Sequence, residues 1–184
     1  MLRFIVFLAA ALLVSQAQAT EAGWALLRDG GHVVLLRHAN APGTGDPANF
    51  DIEKCATQRN LSERGRQQAR RIGALFAARA APVEKVLTSN YCRCLDTARL
   101  AFGDRLVEQS EALDFMRGDE EGNAGKAAAL KQLILDYTDA ANLVLVVNED
   151  VVQQLLGASI REAEAIIVNR SSDALHVAGR IRFN

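Results

Sequence analysis

This chain of 184 residues has no basic stripe, no internal repeat and no low-complexity segment, and aromatic side chains make up only 5% of it. Its 21 Lys and Arg residues are balanced by 22 Asp and Glu residues, so nothing points to nucleic acid as a partner. His, Cys and Asp residues do not cluster at metal-ligand spacing, and we expect neither a metal nor another cofactor. An apolar content of 49% with few aromatic residues is typical of a compact α/β domain with alanine-rich helices.

Residues 1–19 resemble a secretory signal peptide. Arg3 supplies a positive start, residues 4–14 are apolar without interruption, and residues 17–19 form a small-x-small cleavage pattern. The apolar stretch is shorter than the about 20 residues that span a bilayer, although a retained N-terminal anchor is the alternative. The residue directly after the cleavage site is Thr20 and not Cys, which argues against a lipoprotein. We therefore expect one mature domain, residues 20–184, that is periplasmic or secreted and has no stable membrane insertion.

Short apolar runs alternate with helical patterns along the rest of the chain. Buried strands are predicted at 33–36, 85–88 and 143–147, and a closing hairpin at 165–168 and 174–177. Helices are predicted at 63–80, 126–137 and from residue 149 to a stop at Gly157, with an irregular acidic stretch at 106–119. This alternation predicts an α/β fold with parallel strands.

Two arginines and a histidine stand where ligands of α/β sheets are found. Arg37 and His38 follow the first strand, and the carboxyl ends of such strands form ligand sites. Arg93 lies in the first turn of the helix after the second strand, where free N–H groups and the helix dipole favour an anion. Arginine binds phosphate oxygens with two parallel donors, so the three residues could converge on one phosphate. A solvated Arg93 is the alternative.

Four segments carry a resemblance to the histidine phosphatase superfamily, the phosphoglycerate-mutase-like proteins. The Arg-His-Gly signature of that family is resembled by residues 35–39, with Ala39 in place of Gly, and the helix that follows the signature is matched by residues 61–69. The motif of the second arginine is matched by residues 88–98, and the segment of the second histidine is resembled by residues 143–157. Gly30-Gly31-His32, the segment 55–62 and the signal peptide resemble a small exported bacterial subgroup. The resemblance implies a three-layer α/β/α sandwich, with a mostly parallel central sheet and helices on both faces.

The resemblance also implies a mechanism. His38 would be the nucleophile that forms a phosphohistidine intermediate, and Arg37 and Arg93 would hold the phosphoryl oxygens, with no metal involved. The substrate would be a small phosphomonoester or phosphoramidate, with inorganic phosphate as product. Nearby arginines lower the pKa of an imidazole and keep it neutral, as a nucleophile requires.

Asn148 occupies the position of the second histidine of that family. An amide can donate a hydrogen bond to a phosphate oxygen but carries no charge, and loss of such a donor costs about 3–4 kcal/mol of transition-state stabilisation. We expect either an impaired phosphatase or a catalytically silent phosphate-binding protein. Glu111 and Glu149 are the candidates for a general acid, by location alone.

Three cysteines leave one unpaired after a disulfide forms. In an oxidising compartment Cys55 is expected to pair with Cys92 or Cys94. Cys92 and Cys94 are two apart on one helix and point in different directions, so they do not pair with each other. Cys92 is favoured as the partner because it stands at the helix start, whereas Cys94 is expected to face the core.

Overall fold

The structure is a computed structural model that describes residues 20–171 and 173–183. The expected signal peptide, residues 1–19, lies outside the described residues. The helices are α1 (20–29), α2 (Glu63–Ala78), α3 (Cys92–Phe102), α4 (Glu120–Asp136) and α5 (Glu149–Leu156). The strands are β1 (Val33–Arg37), β2 (Val83–Thr88), β3 (Val107–Gln109), β4 (Asn142–Val147), β5 (Glu164–Arg170) and β6 (Leu175–Arg182), and 3₁₀ turns cover Cys55–Thr57 and Glu111–Leu113.

The six strands form one sheet in the order β3-β2-β4-β1-β5-β6. The first four strands in that order run parallel to one another, and the β5–β6 hairpin adds two antiparallel strands beside β1. The predicted α/β fold is therefore confirmed, with parallel pairing over most of the sheet. Because β1 and β4 lie in the interior of the sheet, both are paired on each side and buried.

Alternation along β1 shows how the sheet separates two cores. Val34 and Leu36 face a cluster that contains Trp24 of α1, together with apolar side chains of α2 and α3. Val33 and Leu35 face the opposite cluster, which holds apolar side chains of α4 and α5. Successive side chains of a strand point to opposite faces, so an uninterrupted apolar strand requires helices on both sides. The result is the three-layer sandwich.

The hairpin strands β5 and β6 are longer than predicted, with β6 continuing to Arg182, and two further elements differ from the prediction. Helix α4 begins at Glu120, six residues before the expected start at Lys126, because the Asp119 side chain accepts a hydrogen bond from the Gly122 N–H and caps it. Gly122 and Gly125 have low helix propensity, so the sequence pattern does not predict helix over residues 120–125. Residues 107–109 form the edge strand β3 within the stretch expected to be irregular, and three residues are too short to show a period.

Glycine brings α2 close to its neighbours. A Cβ on Gly65 would lie 2.1 Å from the Asn40 carbonyl oxygen, and one on Gly73 would lie 1.8 Å from that of Ala101 in α3. These contacts seat α2 against the loop after β1 and against α3. In the described part of the chain, no helix combines the length and apolar character needed to cross a membrane.

Candidate phosphate-binding site

Strand register brings His38 and Asn148 together. Arg37 of β1 is the partner of Val147 of β4, so the next residue of each strand leaves the sheet at the same level. The His38 N–H donates to the Val147 carbonyl at 3.2 Å, which extends the pairing by one residue. Parallel strands end at the same edge of a sheet, and this edge therefore collects side chains that lie about 110 residues apart in the chain.

His38 is buried and its imidazole is held in one orientation. Its Nδ1 lies 2.8 Å from the Ala39 carbonyl oxygen and donates to it, because a carbonyl can only accept. The Nε2 atom then carries the lone pair. Burial, with smaller contributions from Arg93, Arg37 and Arg59, lowers the pKa of His38 to about 3. The imidazole is therefore neutral at neutral pH, as expected, but burial and not the arginines is the main cause.

Arg93 lies 5% exposed in the first turn of α3, and its guanidinium has four described neighbours, one of which is the Arg59 carbonyl oxygen at 3.5 Å from Nη1. Nε donates to Asn148 Oδ1 at 2.8 Å, and Nη1 donates to Asp46 Oδ1 at 2.8 Å. Its guanidinium carbon also lies 4.5 Å from the centre of the Tyr91 ring. These contacts hold Arg93 in the sheet-end cleft, beside Asn148, rather than in solvent.

Arg37 approaches the same cleft from β1. Its Nη1 donates to the Ile160 carbonyl oxygen at 2.7 Å and lies 2.9 Å from Glu149 Oε2. Within residues 20–171 and 173–183, the buried Nε of Arg37 has no hydrogen-bond partner, and neither has that of Arg59. An unsatisfied buried donor costs free energy that an incoming acceptor can recover.

Sequence reasoning missed Arg59 and Glu162. Arg59 Nη1 donates to the Ala41 carbonyl and lies 3.5 Å from Glu162 Oε1. The same carboxylate accepts from the Ala41 N–H at 3.2 Å and from Asn40 Nδ2 at 2.9 Å. Glu162 thus ties Arg59 to the loop that follows His38. Arg59 stands two residues before Leu61 of the second motif, but no spacing rule marks it, and nothing marks Glu162.

One cleft of about 740 Å³ contains this constellation. The predicted residues that line it are Arg37, His38, Arg93, Asn148 and Glu149, and the residues that the prediction missed include Asp46, Arg59 and Asp150. Asp150 is an exposed residue at the start of α5, but partial desolvation raises the pKa of its carboxyl, whose Oδ1 accepts from the Val151 N–H at 2.9 Å.

Glu111 does not lie in this cleft. It lines a second cavity of about 450 Å³, together with Cys55 and Cys92. The structure therefore does not bring Glu111 together with His38, since the 3₁₀ turn Glu111–Leu113 lies at the other cavity, and its role as a general acid stays a prediction.

A disulfide joins Cys55 to Cys92, and Cys94 is a buried free thiol. This is the pairing that the sequence favours. Gln58 Oε1 accepts from the Cys92 N–H at 2.9 Å. One of the free N–H groups expected to attract an anion at the start of α3 is thus already occupied by the protein itself.

The arrangement is suited to anion chemistry around a neutral nucleophile. Four arginines line the cleft: Arg117 is exposed, whereas Arg37, Arg59 and Arg93 are partly or fully buried, and burial strengthens their interaction with a charged ligand. Among the described residues, no group of three or more His, Cys, Asp or Glu is placed to hold a metal ion.

Comparisons with known proteins agree with this geometry. Residues 33–137 match the family model of the histidine phosphatase superfamily (branch 1). Similar solved structures include YhfR of Bacillus stearothermophilus, with 19% identity over 80% of this chain and 95% of that one and a TM-score of 0.59. The protein histidine phosphatase SixA complexed with tungstate has 17% identity over 82% and 96% and a TM-score of 0.56. A mycobacterial glucosyl-3-phosphoglycerate phosphatase complexed with VO3 has 16% identity over 80% and 97% and a TM-score of 0.60. These three likenesses show a shared fold. A search of curated proteins finds no match.

Proposed function

Because the chain belongs to the histidine phosphatase superfamily (branch 1), we propose that it hydrolyses a small phosphomonoester or phosphoramidate through a phosphohistidine intermediate on His38. The family match covers more than half of the chain and includes Arg37, His38 and Arg93. It supports a phosphatase-type function.

The observation that carries this proposal is the state of His38. Its Nδ1 proton is committed to the Ala39 carbonyl, and burial keeps the ring neutral, so Nε2 is available as a nucleophile. In the first step Nε2 forms a bond to phosphorus, and the leaving group departs with the electron pair of its bond to phosphorus. In the second step water attacks phosphorus, the phosphorus–Nε2 bond breaks and inorganic phosphate is released.

The arginines supply most of what phosphoryl transfer requires from a protein. The reaction needs the phosphoryl group positioned and its equatorial charge stabilised. Arg37, Arg59 and Arg93 line the same cleft as His38 and carry three positive charges. We assign the phosphoryl oxygens to these side chains, with the Asn148 amide as a further donor.

A carboxyl at the start of α5 donates the proton to the leaving group. Glu149 lies in the cleft but is paired with Arg37 at 2.9 Å. Asp150 also lines the cleft and forms no salt bridge with a described residue, and although the residue is exposed, partial desolvation raises the pKa of its carboxyl. A general acid must carry its proton at the working pH, and a carboxyl with a raised pKa keeps that proton to higher pH, which favours Asp150. A substrate with a good leaving group needs less of this assistance.

A catalytically silent phosphate-binding protein is the second candidate, and Asn148 favours it. Its Oδ1 accepts from Arg93 Nε, which leaves only the amide nitrogen to face a ligand, and that group carries no charge. The anion site and the nucleophile could then persist while turnover is lost.

A panel of phosphomonoesters and one phosphoramidate separates the two candidates. Phosphate release by residues 20–184, lost in His38→Ala, is the expected result. If nothing is released but inorganic phosphate and vanadate bind to the wild-type protein and not to Arg93→Ala, the binding protein is the correct function. If neither release nor binding occurs, both candidates are wrong.

We further propose that the chain is exported and processed after Ala19. The signal-like pattern of residues 1–19 supports this, and so does a disulfide, since disulfides persist in oxidising compartments. Mass spectrometry of the protein from its native host should find an N-terminus at Thr20. A full-length species confined to the cytosol would contradict export.

A further inference from the structure

Both arginines expected to hold a phosphoryl group already face carboxylates of the same chain. Arg93 Nη1 lies 2.8 Å from Asp46 Oδ1, and Arg37 Nη1 lies 2.9 Å from Glu149 Oε2. The two pairs differ in burial. The Arg93 and Asp46 side chains are only 6% and 18% exposed, whereas Glu149 is 47% exposed. Water screens the Glu149 pair, so the Asp46 pair is the stronger of the two.

The geometry of the Arg93 guanidinium limits where an anion can bind. A guanidinium grips an anion in bidentate fashion through two adjacent nitrogens. Asn148 occupies Nε, which removes the edge that contains Nε. The remaining edge is formed by Nη1 and Nη2, and Asp46 occupies Nη1. A phosphoryl group that binds this edge with two hydrogen bonds therefore takes Nη1, the nitrogen that the Asp46 carboxylate now faces.

Asp46 lies in a part of the loop after β1 that contains two glycines. Gly45 precedes it, and Gly43 has a φ of 103°, a conformation that glycine adopts without strain. The later part of the same loop is anchored separately, because Cys55 is bonded to Cys92 and Phe50 stacks on Tyr91 at 5.2 Å. Displacement of Asp46 then requires movement of residues 43–47 and loss of the hydrogen bond from the Arg59 N–H, while the later part of the loop stays in place.

We propose that Asp46 is an internal competitor for the phosphoryl group, occupying the anion-binding edge of Arg93 in the free protein and leaving it when the ligand binds. This inference rests on the proposed anion site but not on turnover. It makes Asp46 a determinant of affinity, since every ligand must first replace an intramolecular carboxylate.

Asp46→Asn tests the proposal because it removes the charge and keeps the acceptor. Asp46 Oδ1 also accepts from the Arg59 N–H at 2.9 Å, and an asparagine oxygen can retain that bond. Calorimetric titration with inorganic phosphate should show binding about tenfold tighter than in the wild-type protein, as expected when a charge-assisted bond becomes a neutral one. Asp46→Glu, which retains the competing charge, should not tighten binding.

Asp104→Asn is the matched control. It removes one negative charge from the exposed pair of Asp104 with Arg99, which does not line the cleft, so the phosphate affinity should stay at the wild-type value. Equal or weaker phosphate binding by Asp46→Asn would overturn the proposal, and so would equal tightening in Asp104→Asn. Phosphate binding that is detectable in Asp46→Asn but not in the wild-type protein or in Asp104→Asn would support the proposal.

Hydrogen exchange in the wild-type protein gives a second measurement that needs no variant. Saturation with phosphate should speed exchange of a peptide that covers residues 43–50, because Asp46 loses its partner in Arg93. Slower or unchanged exchange there would count against displacement. The proposed phosphatase activity is judged separately by His38-dependent phosphate release, so either idea can fail while the other stands.

Discussion

Replacement of Asn148 by histidine should raise phosphatase activity. The Asn148 Oδ1 atom accepts from Arg93 Nε at 2.8 Å, and the side chain is 6% exposed. In a histidine at this position, Nδ1 lies one bond beyond Cγ, as Oδ1 does in asparagine. The histidine Nδ1 atom can therefore accept from Arg93 Nε. The Nε2–H group lies further from the backbone and can then donate to a phosphoryl oxygen.

The size of the gain follows from the value of one placed donor. Removal of a preorganised donor to transition-state charge lowers kcat by about 10²–10³, or about 3–4 kcal/mol. Asn148→His replaces an amide whose oxygen is bonded to Arg93 by a donor that reaches further into the cleft, so we expect kcat to increase, with about two to three decades as the upper limit. The inorganic phosphate affinity should change much less, because Arg37, Arg59 and Arg93 remain in place.

Phosphate release from the best substrate of the panel measures the effect. His38→Ala in the Asn148→His background should abolish it, because the described cleft contains no second imidazole. Asn148→Leu, which has similar volume but no hydrogen-bonding group, should weaken phosphate binding and leave kcat below the wild-type value. If Asn148→His binds phosphate normally and turns over no faster than the wild-type protein, the missing histidine is not what limits catalysis.

Three further predictions follow from single contacts. Burial lowers the pKa of His38 from 6.5, its value in an unfolded chain, to about 3 in the folded protein. Acidification between these two values should lower the free energy of unfolding by about 1.4 kcal/mol per pH unit from this group, and the contribution of His38 to stability should be fully present only above pH 6.5. Urea unfolding at several pH values should show that slope reduced by the same amount in His38→Gln, and an equal slope in both proteins would contradict it. The Cys55–Cys92 disulfide, with a sequence separation of 37, should contribute about 4 kcal/mol in the chain-entropy model. Urea unfolding of the double serine variant measures this, and thiol counting in the denatured wild-type protein should find one free thiol, whereas three would exclude the bridge. Glu162→Ala should weaken phosphate binding about tenfold, because Arg59 and the Ala41 N–H lose their acceptor. Glu108→Ala, which breaks an exposed pair with Lys85, is the control, and equal losses in both variants would show that Glu162 does not act through the site.

Much of this molecule is determined locally and could be predicted from the sequence. The apolar run before Arg37 predicts a strand buried on both faces, because β-branched and apolar residues without alternation leave no side for water. Ser62 caps α2 through its own hydroxyl, as its position before the helical pattern indicates. The placement of Arg37, His38 and Arg93 at element ends followed from the same patterns, and the family match confirms the resemblance. Their catalytic roles stay predictions.

Tertiary structure decided the rest of the site, because its partners are distant in the chain and no periodicity links them. Arg93 meets Asn148, 55 residues away, and Asp46, 47 residues away, and both contacts require the parallel register of the sheet and the loop that the disulfide anchors. Glu162 approaches Asn40 across 122 residues. Glu111 carries the same charge as Glu149, but a short turn directs it to another cavity. A sequence specifies which groups a chain contains and which local elements they end, whereas packing alone decides which charges share one desolvated cleft.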